Sequence, residues 1–150
     1  MMRWPRGIVL IVVLSCSATA GDTLDGSLSS IYDLSFNSVG VVVDGTQVQV
    51  TYNGDNGVEP AQLSVDTSNL AAVAGVAINL VQVNSGNGIA RGNLQYIGGV
   101  ATPLPIQLGT VTFNQVPTVG QTCSGSFAAT LSSPSGYTLD GTFSAKATAP

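Results

Sequence analysis

Few side chains in this sequence can do chemistry, and their types narrow what that chemistry could be. None of the 150 residues is a histidine, which removes the commonest general base and metal ligand and the usual partner of a serine or cysteine nucleophile. Cys123 alternates in phase with Phe127, Ala129 and Leu131, so it reads as a buried core thiol; a reactive one needs exposure and a cationic neighbour. Carboxylates remain. A glycosidase requires two positioned acids whose environments push their pKa values apart, and no pair in the sequence is marked out in that way.

Asp66-Thr67-Ser68 shares two residues with the Asp-Thr-Gly of aspartic proteases, but its third residue differs and the chain is too short to supply a second lobe. Asp44-Gly45-Thr46 and Asp140-Gly141-Thr142 look alike; the first reads as a turn, and the second places Asp140 and Thr142 on the polar face of a strand. The densest polar constellation is Asn53-Gly54-Asp55-Asn56-Gly57-Val58-Glu59. Oxygen donors at Asn53, Asp55 and Glu59, with glycines for tight turning, outline a calcium loop without matching an EF-hand. A plain hairpin loop accounts for the same residues. Arg91 is a candidate ion-pair partner for Asp66 or Asp33.

Short strands must position these residues. From Leu28 onward the apolar residues recur with period two, interrupted by Gly, Asn, Asp and Pro. Leu28, Tyr32, Leu34 and Phe36 share one parity and predict a half-buried strand. Asp44-Gly45 between two β-branched runs predicts a hairpin, because Asp and Gly tolerate the positive φ of a tight turn. Further strands are expected at 62–66, 76–83, 89–96 and 107–114, with loops at 84–88 and 115–120 and at most one helical turn in 68–75. Pro103 and Pro105 should lie outside central strands, since proline donates nothing to a ladder.

The C-terminal third gives a register. Two strands, 122–131 and 137–146, each contain Gly-x-Phe-x-Ala. If 132–136 is the loop between them, Phe127 faces Gly141 and Phe143 faces Gly125, and each ring covers a glycine on its neighbour. About eight short strands without a long helix predict an all-β fold, an antiparallel two-layer β-sandwich, with a partly closed β-barrel as the alternative.

The N-terminus carries Arg3 and Arg6, then an apolar run of eight residues from Gly7 to Leu14, then small residues. That order is an export signal, and the run is far short of the roughly 20 residues a membrane-crossing helix needs. Two cleavages compete. Ala18-Thr19-Ala20 suits release of a chain starting at Gly21. Val13-Leu14-Ser15-Cys16 resembles a bacterial lipobox, in which the cysteine is acylated after cleavage before it. The expected organisation is a signal over 1–15 (to 20 with the second cleavage), a polar tether over 16–26 and one domain over 27–150.

Either route leaves Arg91 and Lys146 as the only bases against eight acids, a net charge of −6. That excludes nucleic acid, whose binding rests on basic side chains neutralising phosphates, and leaves acyl chains as the membrane contact. With Cys16 acylated or removed no internal disulfide can form, so packing alone must hold the domain.

The lipobox-like Cys16, the opening Gly26-Ser27-Leu28-Ser29-Ser30-Ile31-Tyr32-Asp33-Leu34-Ser35-Phe36 and the closing Leu139-Asp140-Gly141-Thr142-Phe143-Ser144-Ala145 together resemble small β-rich lipoproteins of Gram-negative bacteria. The resemblance implies a location and a fold; members generally have no assigned activity, so it carries no catalytic residue. The expectation is a non-enzymatic, lipid-anchored domain of the outer membrane or cell surface, without a cofactor, in a structural or protein-interaction role. The alternative is a secreted or periplasmic module that binds a glycan or calcium through residues 53–59 and the 84–88 loop.

Overall fold

The computed structural model describes residues 21–68, 74–81, 91–97 and 101–150. The signal segment, Cys16, the middle of 68–75 and the 84–88 loop lie outside the described residues. The chain is all-β, with ten strands among the described residues. They are β1 (Thr23–Asp25), β2 (Ser38–Asp44), β3 (Gln47–Asn53), β4 (Glu59–Asp66), β5 (Ala77–Asn79), β6 (Arg91–Ile97), β7 (Ala101–Leu104), β8 (Ile106–Phe113), β9 (Thr122–Ser132) and β10 (Ser135–Thr148).

One layer has the order β5-β8-β9-β10, with β1 added along β10; the other has the order β2-β3-β4-β6-β7. The layers are joined where the last residues of β10 run parallel to β2, Ala147 against Val41 and Thr148 against Val42. Every other pairing is antiparallel. β5 and β7 end the order without pairing to each other, so the sheet does not close and the sandwich is the architecture rather than the barrel. Tyr52 of β3 shows how the faces meet: its ring centroid lies 6.2 Å from that of Phe127 on β9.

The alternation in β9 and β10 explains their pairing. Cys123, Gly125, Phe127, Ala129 and Leu131 point inward on β9, and Leu139, Gly141 and Phe143 do so on β10. The register sets Phe127 against Gly141 and Phe143 against Gly125, as the repeated Gly-x-Phe-x-Ala pattern requires. The Phe143 ring fills the space above Gly125 so closely that a Cβ there would lie 2.7 Å from its Cζ. On its other side Gly125 pairs with Phe113, and the two rings meet edge to face at 5.8 Å and 70°. Such offset aromatic pairs are worth roughly 0.5–1.5 kcal/mol beyond the area they bury.

The Asp44-Gly45 hairpin forms as expected. Asp44 pairs with Gln47, leaving Gly45 and Thr46 as a two-residue turn in which only Gly45 has positive φ, 56°, the pattern of a type II′ turn. Pro103 sits in β7, an end strand, and Pro105 between strands.

Three expectations need correction. Residues 28–36 are not a strand: Ser27–Ser30 forms a 3-10 turn after Gly26, whose φ is 127°. The Ser29 and Ser30 hydroxyls donate to the carbonyls of Gly26 and Ser27, and the Ser35 N–H donates to the Asp33 carboxylate. Local side-chain bonds of this kind compete with a ladder, although Leu28 and Leu34 are buried as their parity demanded. Second, the tether expected over 16–26 is partly folded, because Thr23–Asp25 pairs with β10; three residues give too short a pattern to recognise. Third, the strand expected at 76–83 is shorter, Ala77–Asn79. The Asn79 side chain caps its end by accepting from the Val81 N–H at 2.8 Å.

Candidate functional site

The proposed calcium loop is the connection between β3 and β4. Asn53 ends β3, Asp55–Gly57 makes a single 3-10 turn, and Glu59 opens β4. The Gly54 N–H donates to the Val58 carbonyl at 2.7 Å, and the Val58 N–H to the Asp55 carbonyl at 3.1 Å. Asn56 takes the left-handed conformation, φ 57°, as asparagine does readily. The Asp55 carboxylate accepts from the Asn37 side-chain amide, and the Asn37 N–H donates to the Asn53 carbonyl. Asn53 turns its own amide to the Thr51 carbonyl at 3.4 Å. The loop is therefore laced to itself and to residue 37, and among the described residues there is no cluster of three His, Cys, Asp or Glu side chains.

Asp66 and Asp33 hold backbone. Asp66 accepts from the Ser68 N–H at 2.8 Å, and Thr67 gives both its N–H and its hydroxyl to the Thr46 carbonyl, at 2.7 and 2.8 Å. Together they seal the end of β4 against the β2–β3 turn. Backbone register places Asp66 directly across from Arg91. The hydroxyl and N–H of Ser35 hold the Asp33 carboxyl below its usual range. Asp140 lies exposed on β10, across from Asp25. Beside them Thr23 and Thr142 exchange backbone-to-hydroxyl bonds, 2.9 and 3.2 Å, with their hydroxyls 3.0 Å apart.

Cys123 is buried and unbridged, and burial pushes its thiol up to about 11. The rings of Phe113, Phe127 and Phe143 are in the core and Phe36 packs against it, so none is a free platform for a sugar. The outer face of the β8-β9-β10 layer carries an open depression of about 320 Å³, bordered by Leu108, Thr110, Ala128, Thr130, Thr138 and Asp140.

A contact that the sequence reading missed is that of the Tyr52 hydroxyl. It donates to the Thr142 carbonyl at 2.9 Å, from one layer to the other. Burial, with the Asp22 charge adding to it, holds the phenol well above its usual range. Partial burial raises the Asp22 carboxyl in turn, against a lowering bond from the Ser144 backbone. Tyr52 shares its parity with Val48 and Val50, and a buried tyrosine must find a partner for its O–H; that was the available signal. No family model, curated protein or solved structure matches the chain.

Proposed function

We propose that this chain is a non-enzymatic exported β-domain, held at the cell envelope by acyl chains on Cys16 and serving a structural or protein-interaction role. The observation that carries the reading is the use made of the polar side chains that looked most capable of chemistry. Asp33, Asp55 and Asp66 each accept from a neighbouring turn or loop, and Thr23 and Thr142 fasten β1 to β10. These are bonds that hold a small sandwich together without disulfides. The lipobox-like stretch ending at Cys16 supplies the anchor, and two or more acyl chains are enough for stable attachment. No helix among the described residues is long and apolar enough to cross a membrane.

The test is the intact mass of the N-terminal peptide of the mature protein from its native host. The expected chain begins at acylated Cys16; one beginning at unmodified Gly21 would replace the anchored domain with a released one. The competing ligand-binding reading is checked on the same material. A rise in melting temperature at millimolar calcium that disappears in Asp55→Asn would establish a calcium module, and the expected result is no shift.

A further inference from the structure

Asparagine precedes glycine at Asn53-Gly54, Asn56-Gly57 and Asn87-Gly88, the last of which lies outside the described residues. At such a step the backbone nitrogen of the glycine can attack the asparagine side-chain carbonyl. A bond forms between that nitrogen and Cγ, the Cγ–Nδ2 bond breaks, and the N–H proton leaves with the departing ammonia. Water then opens the cyclic imide to aspartate or isoaspartate. Nothing is oxidised or reduced, and water is the co-reactant. Glycine favours the attack because it has no Cβ to obstruct the approach. Asp25-Gly26, Asp44-Gly45 and Asp140-Gly141 form the same imide far more slowly at neutral pH, since an ionised carboxylate resists a nucleophile.

The fold treats the first two steps differently, although they are the same dipeptide. Asn53 is the last residue of β3, opposite Ser38, and its carbonyl accepts from the Asn37 N–H at 2.7 Å. The nitrogen that would attack it, that of Gly54, donates to the Val58 carbonyl at 2.7 Å, a bond that favours the protonated N–H. A Cβ on Gly54 would lie 3.1 Å from the Ser35 carbonyl oxygen and 3.2 Å from that of Val58, so the backbone there is packed against its neighbours. Asn56 and Gly57 sit in the turn beyond. Both take positive φ, 57° and 75°, Asp55, Asn56, Gly57 and Val58 are all exposed, and a Cβ on Gly57 would meet nothing within 4 Å. The Asn56 side chain makes no hydrogen bond among the described residues. Attack requires its ψ to turn from 28°, which opens the turn closed by the Val58 N–H on the Asp55 carbonyl at 3.1 Å. That opening moves no buried side chain, whereas the same motion at Asn53 unpairs the end of β3. Exposed turns open at the smallest free-energy cost in a fold, and intramolecular attack goes where the reacting atoms can be brought into line.

We infer that Asn56 is a site of spontaneous covalent modification, converted in the folded protein to aspartate and isoaspartate through an imide with Gly57, while Asn53 is spared. The new carboxylate lies between Asp55 and Glu59, so the modification adds charge to a loop that is already acidic. Aspartate at this position keeps the left-handed conformation, which it adopts much as asparagine does. Isoaspartate instead places an extra carbon in the backbone of the turn. The turn contains no buried residue, so the sandwich stays folded around either product.

The experiment incubates the full mature chain in mildly alkaline buffer, once folded and once in urea. Residues 53 and 56 are followed by the mass gained when an amide becomes an acid, with electron-based fragmentation to locate the change and to separate isoaspartate from aspartate. The expected result is conversion several-fold faster at 56 than at 53 in the folded chain, and comparable rates at the two positions in urea. Equal conversion of the two in the folded chain, or faster conversion at 53, overturns the assignment. So does a folded chain in which Asn56 stays intact over the time that urea allows it to convert, since the turn would then protect it. A preference for 56 that persists unchanged in urea overturns the role given to the fold and places the cause in the neighbouring sequence.

Discussion

Phe143 stands directly across from Gly125, and its ring occupies the space that a side chain at Gly125 would need. A Cβ at that position would also run into the Thr112 carbonyl and come within 3.2 Å of the Phe113 Cα. Two of the three obstacles are backbone of the neighbouring strand and cannot rotate away. Gly125→Ala is therefore expected to destabilise the domain by about 1–3 kcal/mol, the range for overpacking a filled core, despite alanine being the better strand residue. Urea unfolding measures it. A midpoint equal to or above that of the parent would show that the ring does not depend on the missing side chain.

Tyr52 ties the two layers through a single O–H, and Tyr52→Phe removes that bond while keeping the ring. The Thr142 carbonyl loses one acceptor contact, so the expected cost is about 1 kcal/mol. The variant also has a signature in alkali. Burial raises the folded phenol above its unfolded value, so the folded chain keeps a proton that the unfolded chain releases. The associated stability is complete below about pH 10 and declines as the pH rises beyond it, at about 1.4 kcal/mol per unit. Tyr52→Phe should unfold less steeply above pH 10 than the parent. Identical slopes would mean that the hydroxyl is open to solvent.

The Phe127–Gly141 and Phe143–Gly125 pairs were legible in advance because period-two parity and a short loop leave one register that buries both rings. The parity of Leu28 and Leu34 was legible for the same reason, but the form of the backbone was not. Ser29 and Ser30 bond to carbonyls three residues back, and alternation of apolar residues contains no trace of that. The parallel seam between β10 and β2 joins residues more than a hundred positions apart, a pairing that no local pattern encodes. The partner of Tyr52 is 90 positions away; parity marks the side chain as buried without naming what its hydroxyl meets. In the candidate calcium loop, residue types showed the oxygen donors, whereas the Asn37 amide that engages Asp55 comes from outside the motif.

Cys123 offers a titration that can be separated from that of Tyr52. Its thiol is raised by burial from 9.0 to about 11, so the stability that goes with the protonated form is complete below pH 9 and is lost as the pH climbs to about 11, on the order of 3 kcal/mol. Cys123→Ala should flatten stability between those limits and cost about 1 kcal/mol at neutral pH for the space it leaves. The folded parent should resist a soluble thiol reagent until it is unfolded by urea. Rapid reaction in the native state would place the thiol at the surface and contradict its burial.

Asp140 and Asp25 are direct cross-strand partners on the exposed face, and like charges so placed oppose the pairing of β1 with β10. Asp25 has a local use, since its carboxylate accepts from the Gly26 N–H at 2.7 Å, just where the chain turns into the 3-10 segment. Asp140 is the partner to change. Asp140→Asn should stabilise the domain by a few tenths to about 1 kcal/mol, the scale of a cross-strand charge pair, and the gain should shrink in high salt as screening weakens the repulsion in the parent. In an Asp25→Asn background the same substitution should gain little, because the repulsion is already gone. A gain of the same size in both backgrounds, unaffected by salt, would assign it to strand propensity and leave the two carboxylates uncoupled.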